Sequence, residues 1–258
     1  MNRKLVGYLL GAILLIEAAC MVPALVVALI YQDEDVWAMG KAILLLAAIG
    51  APMRFGIRPQ ERNLRAREGF LVVALAWVAL SCFGALPFVF SGLLPNYIDA
   101  LFESVSGFTT TGATVLTQFD DLPRGIIFWR SFTHWIGGMG VLVLTLALVP
   151  QLSSRTSHLV RAESPGPTLS KIVPKMADSA KILYIMYFIL TMLEFFALML
   201  AGMNPYDAAI HAMGTAGTGG FSNYAASVGA FDSAVIDVII TVFMVLFGVN
   251  FALFFYML

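Results

Sequence analysis

Apolar residues run along this chain in long unbroken stretches, with polar residues collected between them. Runs of about 17–25 residues reach across a bilayer, and six stretches of that order stand out: Leu5 to Tyr31, Trp37 to Met53, Phe70 to Ser91, Gly125 to Val149, Ile182 to Ala201 and Val235 to Leu258. The second carries Lys41 and ends on Pro52. Two connectors do not read as loops. Between the third and fourth runs lie 33 residues, far more than the roughly 2–8 that usually join helices. They open with Pro95-Asn96, a helix start with Asn96 as cap, and continue apolar through Ser106. About ten helical residues reach roughly 15 Å, half of a hydrocarbon core, so this segment enters a membrane without crossing it.

Gly107-Phe108-Thr109-Thr110-Thr111-Gly112-Ala113-Thr114 follows. Irregular backbone at membrane depth is tolerated only where protein buries it or where it lines a wet path. Carbonyls beside the negative end of a short helix can replace the water around a cation, and Gly112 is free to take the positive φ that aims one inward. A Thr/Gly-rich outer turn with no ion is the alternative. The pattern occurs again: Asn204-Pro205 opens a second short helix, which leads into Thr215-Ala216-Gly217-Thr218-Gly219-Gly220-Phe221-Ser222. A shift of 107 residues lays Gly107 on Gly214, Thr111 on Thr218 and Gly112 on Gly219. Repeated interruptions of this kind point to a substrate path.

Composition agrees with the pattern. Of 258 residues 60% are hydrophobic and 12% charged, against about 25% charged in soluble chains, and the net charge of −1 offers nothing to nucleic acid. The charges are sorted by side. Arg3 and Lys4, then Arg54, Arg58, Arg62, Arg65 and Arg67, then Arg155, Arg161, Lys171, Lys175 and Lys181 share one face; Asp33, Glu34, Asp35, Asp99, Glu103, Asp120, Asp121, Asp207, Asp232 and Asp237 share the other. By the positive-inside rule the N-terminus is cytoplasmic and the acidic face is external and cation-attracting. The first run continues past Cys20 with Glu17 inside it, which opposes a cleaved leader. Cys20 and Cys82 lie within spans and suggest neither disulfide nor zinc site.

The phrases GFTTTGAT (Gly107 to Thr114), FWRSFTHWIGGMG (Phe128 to Gly140) and TAGTGGFS (Thr215 to Ser222) resemble the TrkH/KtrB superfamily of bacterial potassium uptake proteins. The resemblance covers essentially the whole chain. It implies an all-α polytopic membrane protein in which two N-terminal transmembrane helices (1–68) precede two helix, re-entrant pore loop, helix repeats (69–150 and 182–258), with a cytoplasmic loop at 151–181 between them. It further implies K⁺ uptake across the bacterial inner membrane, with no enzyme activity and no cofactor. The ion-binding residues are then Thr110, Thr111 and Gly112 with Gly217, Thr218 and Gly219, and the family's one glycine per loop falls on Gly112 and Gly219. In related plant transporters a serine at the first of these accompanies Na⁺ permeation. A cytosolic nucleotide-binding regulator of the Trk/Ktr type is an implied partner; the long basic loop Gln151 to Lys181, with its Ser, Pro and Gly, is its expected contact, and a homo-oligomer is expected besides. The family carries four such repeats around one pore and this chain holds two, so the expectation is the N-terminal half of a longer protein or a short relative that associates. A non-conducting scaffold is the competing reading.

Other residues have simpler expectations. Arg130 snorkels or pairs with an outer acid such as Glu103. Gly137-Gly138-Met139-Gly140 serves close helix packing. Glu17 and Glu194, intramembrane carboxylates, are expected to hydrogen-bond a neighbouring helix, with proton coupling as the alternative. His134, His158 and His211 form no metal pattern, and His211 packs behind the filter.

Overall fold

The computed structural model describes residues 2–57, 59, 66–119, 121–140 and 176–249, with backbone alone at 66, 67 and 176–181. Among the described residues there is helix and no strand. The long apolar segments are α1 (Arg3–Tyr31), α2 (Val36–Ala51, continued by a π turn over Pro52–Gly56), α3 (Ala66–Gly84) with its extension α4 (Leu86–Phe90), and α7 (Met176–Leu200). Among the described residues four stretches are long and apolar enough to cross a membrane: Arg3–Tyr31, Val36–Gly56, Glu68–Phe90 and Ile182–Leu200. The fourth and sixth expected spans appear as α6 (124–140) and α9 (Ala234–Gly248); their remainders, 141–149 and 250–258, lie outside the described residues. So do Arg58, Arg62 and Arg65, Asp120, and the loop positions Arg155, His158, Arg161, Lys171 and Lys175.

The third span departs from the expected single helix. It breaks at Ala85 into α3 and α4, with Pro87 in the first turn of α4, where its missing N–H would have no helical partner anyway. The two short helices are α5 (Tyr97–Phe108) and α8 (Pro205–Ala216), twelve residues each or about 18 Å, two residues longer than expected. Asn96 Oδ1 accepts the N–H of Ile98 and Asn204 Oδ1 that of Asp207, so each helix has the cap its sequence promises.

Packing sorts the ends. At one end Asn2 N–H donates to Glu68 at the start of α3, and the Arg54 guanidinium stacks 3.9 Å from the Tyr8 ring centre. At the other, Asp33 accepts the N–H of Gly125 at 2.8 Å, and Arg124 lies 4.1 Å from the Tyr31 ring centre while its carbonyl accepts from Tyr206. Arg54 and Asp33 thus lie at opposite ends of the α1–α2 pair, with Glu68 at the basic end and Arg124 at the acidic one. Large apolar side chains such as Ile16, Leu44 and Val238 point outward, the surface a lipid-facing helix presents. A buried core of Met21, Met39, Leu46, Phe88, Phe108 and Trp129 joins α1, α2, α4, α5 and α6. Trp129 fixes α6 to the α3 terminus through Nε1 to the Gly84 carbonyl at 3.0 Å.

Candidate functional site

Each short helix ends in a turn that a side-chain-bearing residue rarely adopts. After α5, Thr110 has φ +55° and Gly112 φ +78°; after α8, Thr218 has φ +55° and Gly220 φ +79°. The hydrogen bonds repeat as well. Thr109, Thr110 and Thr111 donate to the carbonyls of Val105, Gly107 and Ser106, and Gly217, Thr218 and Gly219 to those of Met213, Thr215 and Gly214. Both series, and the capping pair Asn96 and Asn204, match at a shift of 108. The expected shift of 107 is therefore corrected by one residue, and the counterpart of Gly112 is Gly220 rather than Gly219.

The supports behind the turns obey the same register. Glu103 accepts from the Thr114 hydroxyl at 2.8 Å; 108 residues on, His211 Nε2 lies 3.1 Å from Ser222 Oγ. His211 Nδ1 sits 2.8 Å from the Asp207 carbonyl, so its place is behind the second turn, as expected, in a structural link. Ser106 Oγ donates to the Ala113 carbonyl at 2.6 Å. In the second repeat that hydroxyl is replaced by Gly214, where a methyl would come within 2.6 Å of the Phe221 carbonyl.

The two turns meet. A Cβ on Gly112 would strike the carbonyl oxygen of Gly219, and one on Gly219 would lie 3.0 Å from that of Thr110. Arg130 of α6 holds them from outside the turn. Its Nε donates to Glu103 at 2.6 Å, its Nη1 to the Ser222 carbonyl at 3.0 Å, and its guanidinium lies 3.5 Å from the Phe221 ring centre. The expected partner, Glu103, is confirmed; the reach to the second repeat was not legible. Gly137 and Gly138 bring α6 against both turns: a Cβ on Gly137 would hit the Phe108 carbonyl at the first, and one on Gly138 would lie 3.2 Å from Gly217 Cα at the second and 2.6 Å from the Tyr187 hydroxyl of α7. Close packing is thus their role.

Sequence reasoning missed the outer cluster around Asp207. Its carboxylate accepts from Asn204, Asn223 and Tyr224 at 2.6–2.8 Å, which ties the α8 N-terminus to the segment beyond the second turn. Asn204 and Asp207, three residues apart in a first helical turn, were the available signal. Glu17 in α1 and Glu194 in α7 are buried. The hydrogen bond expected of Glu17 is not made among the described residues, whereas Glu194 faces the Thr215 side chain of the neighbouring helix α8. Glu17 faces the gap left by Gly84, as does Ser104 of α5. No group of metal-ligating side chains occurs among the described residues.

A family of cation transport proteins, TrkH, matches residues 38–258. The chain belongs to the TrkH family. The Trk system potassium uptake protein TrkH of Escherichia coli K12 is 41% identical over 261 residues, covering 100% of this chain and 54% of that protein. TrkG of the same organism, also a Trk system potassium uptake protein, is 34% identical over 252 residues, covering 97% and 52%. The crystal structure of the potassium transporter TrkH from Vibrio parahaemolyticus superposes with a TM-score of 0.86 at 38% identity, covering 99% of this chain and 52% of that one. The chain spans about half the length of the curated relatives it matches. Those TrkH-family relatives are transport proteins, and the fold here is that of a multi-pass membrane protein.

Proposed function

We propose that this chain contributes two of the re-entrant loops of a K⁺-selective pore, and that the carbonyls of the expected residues Thr110, Thr111, Gly112, Gly217, Thr218 and Gly219, joined by Gly220 at the place Gly112 holds in the first turn, coordinate dehydrated K⁺. The observation that carries the reading is the duplicated turn: two adjoining loops with the same positive-φ residues, each at the C-terminal end of a helix of half-membrane length. Those helix ends carry partial negative charge, which favours a cation in front of both. Two turns offer ligands from two sides only, and a closed filter needs them all round, so further loops of the same kind complete the ring. The relatives' potassium uptake supports K⁺ as the ion, held by several weak sites in series and without a cofactor.

The sorting of charge supports an N-terminus in the cytoplasm of a bacterium and an acidic face outside. The basic segment from Gln151 to Lys181, of which 151–175 lie outside the described residues, would receive a cytosolic nucleotide-binding regulator. Self-association is one way to bring in the missing loops. K⁺ flux into proteoliposomes carrying the protein tests the reading. Flux above that of empty vesicles, with K⁺ passing in preference to Na⁺, is expected. A well-folded protein that passes neither ion would instead be a scaffold or assembly subunit.

A further inference from the structure

In the 108-residue register the second turn has glycine where the first has threonine: Gly217 answers to Thr109 and Gly219 to Thr111. The difference removes a brace. Thr109 Oγ1 donates to the Val105 carbonyl at 2.7 Å and lies 2.8 Å from Thr111 Oγ1, so the first turn is held by its own hydroxyls. The second has no hydroxyl at either place. Its space is taken by one residue of α6, His134. A Cβ on Gly217 would come within 2.8 Å of the His134 carbonyl oxygen, and a Cβ on Gly219 would overlap Nε2 and Cδ2 of its ring.

The imidazole is held there by shape. His134 is fully buried, and neither ring nitrogen has a hydrogen-bond partner among the described residues. Most buried polar side chains do have one, so an imidazole left without is a place where position outweighs bonding. Its ring centre lies 3.9 Å from that of Phe221, the residue that follows Gly220. Phe221 is contacted in addition by Arg130, one turn earlier on α6. The second turn therefore packs on two α6 residues, His134 from Gly217 to Phe221 and Arg130 at Phe221.

We propose that His134 is a positioning residue for ion selectivity: its ring edge replaces the side chains that Gly217 and Gly219 lack and fixes the carbonyls of the second turn. The inference rests on the filter reading and goes beyond it, since His134 would contact no ion. Helix α6 would thereby set the filter geometry of a turn contributed by the other repeat.

The experiment compares K⁺ and Na⁺ flux, with protein abundance, for the parent protein, His134→Ala, Gly219→Ala, the double variant, and Gly112→Ser as control. Removing the ring should lower the K⁺ over Na⁺ ratio several-fold at parental abundance. Gly219→Ala, whose methyl has no room beside the ring, should lose most K⁺ flux. In the double variant the methyl enters the vacated space, and flux and selectivity should recover above either single change. His134→Val replaces the alanine variant if that one does not accumulate, with the same loss expected. Parental selectivity in either His134 variant, parental flux in Gly219→Ala, or a double variant no better than its singles would overturn the proposal. If Gly112→Ser lowers selectivity while the His134 variants do not, the inference on His134 fails and the filter reading stands. If Gly112→Ser itself changes nothing, it is the filter reading that fails.

Discussion

A guanidinium only 1% exposed inside a membrane helix is costly unless its charge is paired and hydrogen-bonded. Arg130 donates to Glu103 and to the Ser222 carbonyl and lies on the Phe221 face. Arg130→Gln should cost about 3–5 kcal/mol, the penalty of stranding a buried carboxylate, and Glu103→Gln in the same protein should recover part of it. Loss of the monodisperse peak on heating in detergent would measure both. Charge alone made Glu103 the expected partner, because a lone cation at that depth needs an acid from the neighbouring loop. The Ser222 contact lies 92 residues away in sequence and is created only when the repeats pack. The one-residue error in register has a related cause. Three consecutive threonines give residue identity several ways to align, and only the backbone torsions and the caps decide. Gly112 and Gly220 then differ in a testable way. Alanine at Gly220 meets no atom within 4 Å, so it should cost only the left-handed backbone, about 1–2 kcal/mol. Alanine at Gly112 strikes the Gly219 carbonyl besides, and should lower the K⁺ over Na⁺ flux ratio at equal abundance, where alanine at Gly220 leaves it near parental.

Between elements, small residues decide how closely helices approach. A Cβ on Gly11 of α1 would lie 2.6 Å from Met53 Cβ and 2.7 Å from the Arg54 nitrogen, whereas one on Gly40 of α2 meets nothing within 4 Å. Gly11→Leu should therefore separate α1 from the end of α2 and reduce folded protein sharply. Gly40→Ala should leave stability unchanged or raise it by up to about 1 kcal/mol through helix propensity. Melting temperatures of the two purified variants check the contrast. The Gly137-Gly138 packing was legible because three glycines in four residues of an apolar run have few other uses. The break at Ala85 was not, since a proline in the first turn of a new helix reads like any other apolar position. Capping residues located both half-helices, but their last two residues were assigned to the loops, because Gly107-Phe108 and Thr215-Ala216 carry no stop signal of their own.

At the scale of the molecule, the sorting of charge was the most readable feature. The chain crosses the membrane repeatedly, with Arg54 and Asp33 packed at opposite ends of the α1–α2 pair. What the hydrophobic pattern could not supply is why two interruptions should meet, which depends on α6 packing against both turns at once. The account predicts that a cysteine-reactive, membrane-impermeant label reaches a cysteine placed at Glu34 in intact cells and misses one placed at Lys4; the reverse pattern would invert the proposed orientation. Its central claim is that the paired turns select K⁺. The most direct measurement is the K⁺ to Na⁺ permeability ratio of the reconstituted protein with and without Gly112→Ser, a side chain aimed at the Gly219 carbonyl. A parent that prefers K⁺ and a variant whose ratio falls toward unity are predicted; a ratio unchanged by the substitution contradicts the claim.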